Sequence, residues 1–247
     1  IYTTTINSCS GNDTIRDTIY PSPSLSSTKT ATICSGTAFN YTATSATAGT
    51  LFSWTRPAVT GITTTATPGS GNTITDTLRN TSTAPIVVRY IFTLSANGCS
   101  RPDTVSVTVN PRPKLQAPKT TSSNCSGLVS YTGNSATAGT TFAWSRASVA
   151  NITPVTNAQS SATINETLTN STANPITTIY IYTLTANLCS EQDTVTASII
   201  PTPSLSSTKT PTPICSNDTF KYKATTATTG ATFSWIRMSN ANITPAP

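Results

Sequence analysis

The chain has 247 residues, a net charge of +6 and only 9% charged residues, against 36% hydrophobic and 7% aromatic. The charged share is about a third of the roughly 25% usual in globular proteins, and Thr with Ser fill more than a third of all positions. With no His and only eight carboxylates, His-based triads, His metal sites and most general acid–base schemes are excluded. Neither an enzyme nor a cofactor is expected. The thin positive excess forms no cluster of Lys and Arg interleaved with aromatics, so nucleic acid is not an expected partner. No run of about 18 apolar residues occurs, so insertion into a membrane is not expected either.

In chain order, Ile1 opens inside a strand-like pattern, as a mature fragment would. Ile1-Tyr2-Thr3 aligns with Ile181-Tyr182-Thr183 and Cys9 with Cys189, so residues 1–20 read as the closing strands of a preceding repeat. Two whole repeats follow, at 21–110 and 111–200, and residues 201–247 read as the opening strands of a further one. The period is plain in the tryptophans: Trp54, Trp144 and Trp235 are 90 and 91 positions apart. The words around them match, as S-A-T-A-G-T-L-F-S-W-T-R, S-A-T-A-G-T-T-F-A-W-S-R and T-A-T-T-G-A-T-F-S-W-I-R. The repeats meet at Pro-x-Pro words, N-P-R-P at 110–113 and I-P-T-P at 200–203, stiff segments that cannot continue a sheet ladder.

Each repeat patterns as a β-sandwich. In the first, Phe39 and Tyr41 share one strand face, and the turn at 48–50 leads into Phe52-Ser53-Trp54. A short strand is expected over 74–78, then a longer one presenting Val88, Tyr90, Phe92 and Leu94. Asn97-Gly98 turns it into Val105, Val107 and Val109. This gives about seven strands with Trp on the third, and the three tryptophans are expected in the core. Arg56, Arg146 and Arg237 each follow Trp by two positions, on the same sheet face. A buried Arg without a carboxylate is costly, so each is expected to snorkel from the strand end.

The phrases at 33–56 and 90–113 resemble PKD-like, immunoglobulin-fold repeats of very large surface proteins of gliding, type IX-secreting bacteria. The resemblance implies an all-β chain of tandem immunoglobulin-like (PKD-like) sandwiches of about 90 residues joined by Pro-x-Pro linkers. It also implies a secreted, extracellular, cell-surface location. The implied role is in adhesins and filaments, such as gliding adhesins of the SprB type and fibres that catch prey or surfaces. The W-D-F-G-D-G word of typical PKD domains is replaced here by W-T-R, W-S-R and W-I-R, and no calcium loop is carried over. Independently of the resemblance, stable sandwiches on stiff linkers make a rod, each unit adding roughly 35–40 Å.

Cys9, Cys34, Cys99, Cys125, Cys189 and Cys215 keep the same beat. Without His or C-x-x-C they read as disulfide cysteines rather than zinc ligands. Two pairings stand open. One lies within repeats, Cys34–Cys99 and Cys125–Cys189; the other spans the joints, Cys9–Cys34, Cys99–Cys125 and Cys189–Cys215. All six aspartates precede Thr. The word D-T either closes a turn before a strand or marks O-glycosylation, with Thr14, Thr18, Thr77, Thr104 and Thr194 as candidates. N-x-[ST] triplets such as 80–82 follow from the Thr and Ser content alone.

The leading function is a non-catalytic shaft segment of a long adhesin or filament. Its expected partners are neighbouring repeats, other copies in a fibre, and a polysaccharide, prey or host surface. The alternative is a carbohydrate- or surface-binding module using exposed aromatics such as Tyr20 or Tyr131. The incomplete repeats at both ends are expected either to belong to a longer chain or to be completed by other copies.

Overall fold

A computed structural model of the chain describes residues 1–116, 118–122 and 124–243. The last four residues of the expected 201–247 segment lie outside them. Strands are the only regular elements among the described residues. Contacts divide the chain into two compact units, Ile1–Arg112 and Pro113–Pro247.

The first unit opens with a hairpin of β1 (Tyr2–Ile6) and β2 (Cys9–Asp13), all of it exposed. The first repeat then runs β3 (Thr30–Cys34), β4 (Ala38–Thr42), β5 (Leu51–Thr55), β6 (Pro68–Ser70), β7 (Thr73–Thr77), β8 (Ile86–Ala96) and β9 (Cys99–Asn110). One layer orders its strands β3-β9-β8-β5-β6 and the other is the pair β4-β7. Seven strands with Trp54 on the third match the expected pattern.

The second unit repeats the plan with β10 (Asn124–Cys125), β11 (Gly127–Thr132), β12 (Thr141–Arg146), β13 (Ile152–Thr153), β14 (Asn157–Gln159), β15 (Thr163–Asn170), β16 (Ile176–Ala186) and β17 (Cys189–Ile200). Its layers are β10-β17-β16-β12-β14 and β11-β15-β13. β3 runs parallel to the end of β9, and β10 parallel to the end of β17.

The alternation on β8 puts Val88, Tyr90, Phe92 and Leu94 fully inside, and that on β9 does the same for Val105, Val107 and Val109. Each large side chain so buried contributes about 1.5–3 kcal/mol. Register is fixed by a two-residue turn: Phe92 faces Asp103 and Ala96 faces Cys99, as Tyr182 faces Asp193 and Ala186 faces Cys189. The opening hairpin keeps the same register, Tyr2 to Asp13 and Ile6 to Cys9. Both turn residues are left-handed in all three hairpins, the geometry that matches strand twist. Gly98 takes that conformation freely, whereas Leu188 occupies it at φ 66°.

The closing segment departs from the expectation of opening strands. None of the described residues in 201–243 forms a strand. Ser206 N–H still donates to Thr225 O at 2.8 Å, as Ser26 does to Thr44, so the chain follows the path of a repeat. It does so without the long hairpin against which β5 and β12 pair.

Candidate functional site

The most elaborate polar feature lies inside each whole repeat. Arg146 closes β12 and reaches across the sandwich to Glu166 on β15, with Nε donating to Oε2 at 2.9 Å and Nη2 to Oε1 at 2.7 Å. Nη2 also donates to Pro154 O and Nη1 to Val155 O. Tyr180 Oη on β16 completes the group by donating to Glu166 Oε2 at 2.7 Å. Ninety positions earlier Arg56, Asp76 and Tyr90 occupy the same places. Tyr90 Oη donates to Asp76 Oδ2 at 2.8 Å, and Arg56 Nε lies 2.8 Å from that oxygen as an ion pair rather than an aligned hydrogen bond. Where Glu166 meets its guanidinium with both oxygens, the shorter Asp76 makes its contact through Oδ2.

Both arginines are only 2% exposed, so the snorkelling expected for Arg56 and Arg146 is corrected. The strand end points inward, and the opposite layer supplies the carboxylate that the tryptophan word does not contain. In the sequence Asp76 stands in a D-T word and Glu166 in no motif, so neither announces itself as the partner of an arginine. Their signal was available in the alternation of β7 and β15, which puts a charged residue on the inward face in both repeats.

The electrostatics follow from this burial. Burial alone would raise the Glu166 carboxyl, but hydrogen bonds from Arg146 and Tyr180 hold it below its ordinary value. The bond to Glu166 raises Arg146. Burial, then the bond to the carboxylate, pushes both Tyr90 and Tyr180 far above the ordinary phenol range. In the second repeat the group is charged and closed to solvent with its guanidinium bonded on every nitrogen; in the first, Arg56 Nε and Nη1 are buried without a hydrogen bond. The group ties the two layers of the sandwich together.

A second repeated device plugs one end of each sandwich. Asn80 Nδ2 donates to Ala84 O and Val109 O, both at 2.8 Å, while its Oδ1 accepts from Ser82 N and Oγ. Asn170 does the same with Asn174 O, Ile199 O and Thr172. The triplet at 80–82 therefore ties a loop to the last strand.

The tryptophans differ in outcome. Trp144 is buried, donating Nε1 to Thr163 O at 3.0 Å, and Trp54 packs at the core edge with its indole over Gly69, where a Cβ would lie 2.3 Å from Cζ2. Trp235 is 86% exposed, which corrects its placement in the core. The strands that cover Trp144, β15 to β17, have no counterpart after Trp235 in this sequence. Tyr131 is also not a surface aromatic. Its ring meets Tyr182 edge-on and its Oη donates to Pro118 O at 3.0 Å. Among the described residues of 21–200 no Phe, Tyr or Trp is exposed, while Tyr20 and the aromatics after 200 are. Leu205, Phe220, Tyr222, Phe233 and Trp235 line an open apolar groove of that last segment.

Neither disulfide scheme is present. Cys34 and Cys189 are disulfide-bonded, whereas Cys9, Cys99, Cys125 and Cys215 are thiols. The pairing within repeats fails on geometry: Cys99 and Cys189 begin twelve-residue strands, and Cys34 and Cys125 sit beside the far ends of those strands. Among the described residues no cluster of three or more Cys, Asp and Glu is arranged to hold a metal.

The D-T words serve the fold at three places. Asp76 belongs to the ionic core. Asp103 Oδ1 accepts from Thr104 N, and its Oδ2 accepts from Leu25 N at 3.1 Å and Lys29 Nζ at 2.6 Å. Burial would raise that carboxyl, but these bonds, Lys29's foremost, hold it low. Asp193 makes the matching contacts with Thr194 N and Lys119 Nζ. Thr14, Thr18, Thr77 and Thr194 are exposed and Thr104 is half-buried.

Two facing layers, a parallel first strand beside the last, and Trp at the third strand define an all-β module of immunoglobulin-like, PKD-like sandwich class, in tandem at about 90 residues. The family model described as the PKD-like domain matches residues 31–113, the first repeat from β3 onward. Among solved structures, human protocadherin-24 EC1-2 is similar at 11% identity and a TM-score of 0.39, over 75% of this chain and 100% of that one. Drosophila N-cadherin EC1-4 is similar at 11% identity and a TM-score of 0.36, over 74% and 50%. The titin I-band fragment I67-I69 is similar at 12% and a TM-score of 0.34, over 75% and 68%. No curated protein matches the chain.

Proposed function

We propose that these repeats form a non-catalytic shaft segment of a long secreted cell-surface adhesin or filament, serving attachment, gliding, or capture of prey and surfaces. The observation that carries this reading is the rebuilding of one buried arginine–carboxylate–tyrosine group and one asparagine plug in successive repeats. A binding site needs one copy; a shaft needs every copy to hold. The oxidised Cys34 and Cys189 fit an extracellular setting. No helix among the described residues is long and apolar enough to cross a membrane. The exposed threonines of the D-T words would carry O-linked glycan there, shielding a surface with few charges. An intact mass from the native host equal to the bare chain would remove the glycan without touching the shaft.

The test of the shaft is immunogold electron microscopy of the native cell surface with antibodies to the second repeat. Labels spaced along extracellular fibres are expected. Label confined to the cell interior, or to soluble single molecules, would overturn the reading.

A further inference from the structure

The last segment keeps the inner face of a repeat's opening half. Ser207 Oγ and Tyr222 Oη lie 2.7 Å apart, as Ser27 and Tyr41 do at 2.6 Å. Phe220 stacks on Tyr222 at 6.3 Å between ring centroids, as Phe39 does on Tyr41 at 5.8 Å. The face so formed is the apolar groove described above, with a volume of about 650 Å³. Phe220, Phe233 and Trp235 are each more than half exposed on it. In the whole repeats the matching face is covered by the hairpin of the last two strands. There Phe92 meets Tyr41 at 6.0 Å, and Tyr182 meets Tyr131 and Phe142 at 5.9 and 6.4 Å.

The opening hairpin has the form of that cover. β1 and β2 keep the register of β16 and β17, and Tyr2, Ile15 and Ile19 stand where Tyr182, Val195 and Ile199 stand in the second repeat. All three are exposed. Carried over to residues 232–236, the ladder of β12 on β16 sets Tyr2 opposite Trp235 and Thr5 opposite Thr232. The charges match as well. Asp103 takes Lys29 at 2.6 Å, and Asp193 takes Lys119 at 2.5 Å. Their counterparts are Asp13 on β2 and Lys209 beside the groove, and both are exposed. The hairpin therefore presents the aromatic, aliphatic and acidic groups that such a face takes in each whole repeat.

We infer that the groove of residues 205–235 is an interface for a second copy of this chain, which inserts its β1–β2 hairpin. Tyr2 of the second copy enters between Tyr222 and Phe233, and its Asp13 takes Lys209. Residues 232–236 become a strand by pairing with the donated β1, as β12 does with β16. The donating and receiving surfaces differ, so each copy gives one hairpin and takes another, and assembly continues head to tail. The inference stands on these two faces, each within its own unit, and not on the shaft reading.

The experiment is sedimentation velocity of the 247-residue chain over a wide concentration range, with non-reducing electrophoresis alongside. Mass should rise with concentration past the dimer without covalent linkage, and circular dichroism should gain strand signal as it does. Asp13→Lys and Lys209→Asp should each weaken association about tenfold or more, because like charges then meet. The chain carrying both should recover it, since the pair is reversed across the same contact. Tyr2→Asp should abolish growth. All three positions are exposed in the single chain, so none of these variants disturbs a packed core. A chain that stays monomeric at every concentration would overturn the inference. So would covalent growth, growth indifferent to Tyr2, Asp13 and Lys209, or a double variant as weak as the single ones. None of those outcomes touches the fibre label in the preceding test, so the two readings fail separately.

Discussion

Arg146 and Glu166 face each other across the second sandwich with two parallel hydrogen bonds, and neither side chain is more than 3% exposed. Removing one member leaves the other charge stranded in the interior, which costs about 3–5 kcal/mol. Glu166→Gln is therefore expected to destabilise the second repeat by about that amount. Denaturant unfolding followed by the fluorescence of Trp144, in a Trp54→Phe, Trp235→Phe background, measures it. Replacing Arg146 and Glu166 together by Met and Leu should recover much of the loss, because the apolar pair strands no charge.

The same carboxylate sets the response to acid. Glu166 is held below its ordinary range in the fold, so as pH falls the unfolded chain takes up that proton first. The stability it contributes is complete above the ordinary carboxylate range and is lost as pH falls through the lower folded value. Urea midpoints of the second repeat should drop across that window. In Glu166→Gln the drop should be shallower.

Much of this module was legible in the alternation of apolar residues. Val88, Tyr90, Phe92 and Leu94 announce an inward face, and Asn97-Gly98 announces the turn after it. The short strands β3 and β6 were not legible, because their membership depends on neighbours far along the chain: β3 on β9 and β6 on β5. The ionic core was half legible. Arg56 and Arg146 were visible from their spacing to Trp, but a partner twenty positions on is chosen by which layer folds over it. The cysteines were legible as oxidisable and illegible as pairs, since spacing along the chain does not state which of them come together in space.

Alkali should act through the tyrosines. Burial first, and then the bond to Asp76 or Glu166, raises Tyr90 and Tyr180 far above the usual phenol range, and burial raises Tyr182 as well. Unfolded tyrosine ionises near about 10, so above that pH the unfolded chain releases protons that the fold retains. Stability therefore falls as pH rises. The phenolate absorbance of these three should appear only together with cooperative unfolding. A gradual rise while the fold persists would contradict the buried hydrogen bonds.

Leu188 supplies a prediction of the opposite sign. It sits at φ 66° in the turn between β16 and β17 and is 93% exposed. A side chain with a Cβ pays roughly 1–2 kcal/mol in that conformation, while the matching turn in the first repeat has Gly98. Leu188→Gly should stabilise the second repeat by about 1 kcal/mol, less whatever freedom glycine adds to the unfolded chain. Thermal unfolding at fixed protein concentration decides it, and a lower midpoint would overturn the prediction.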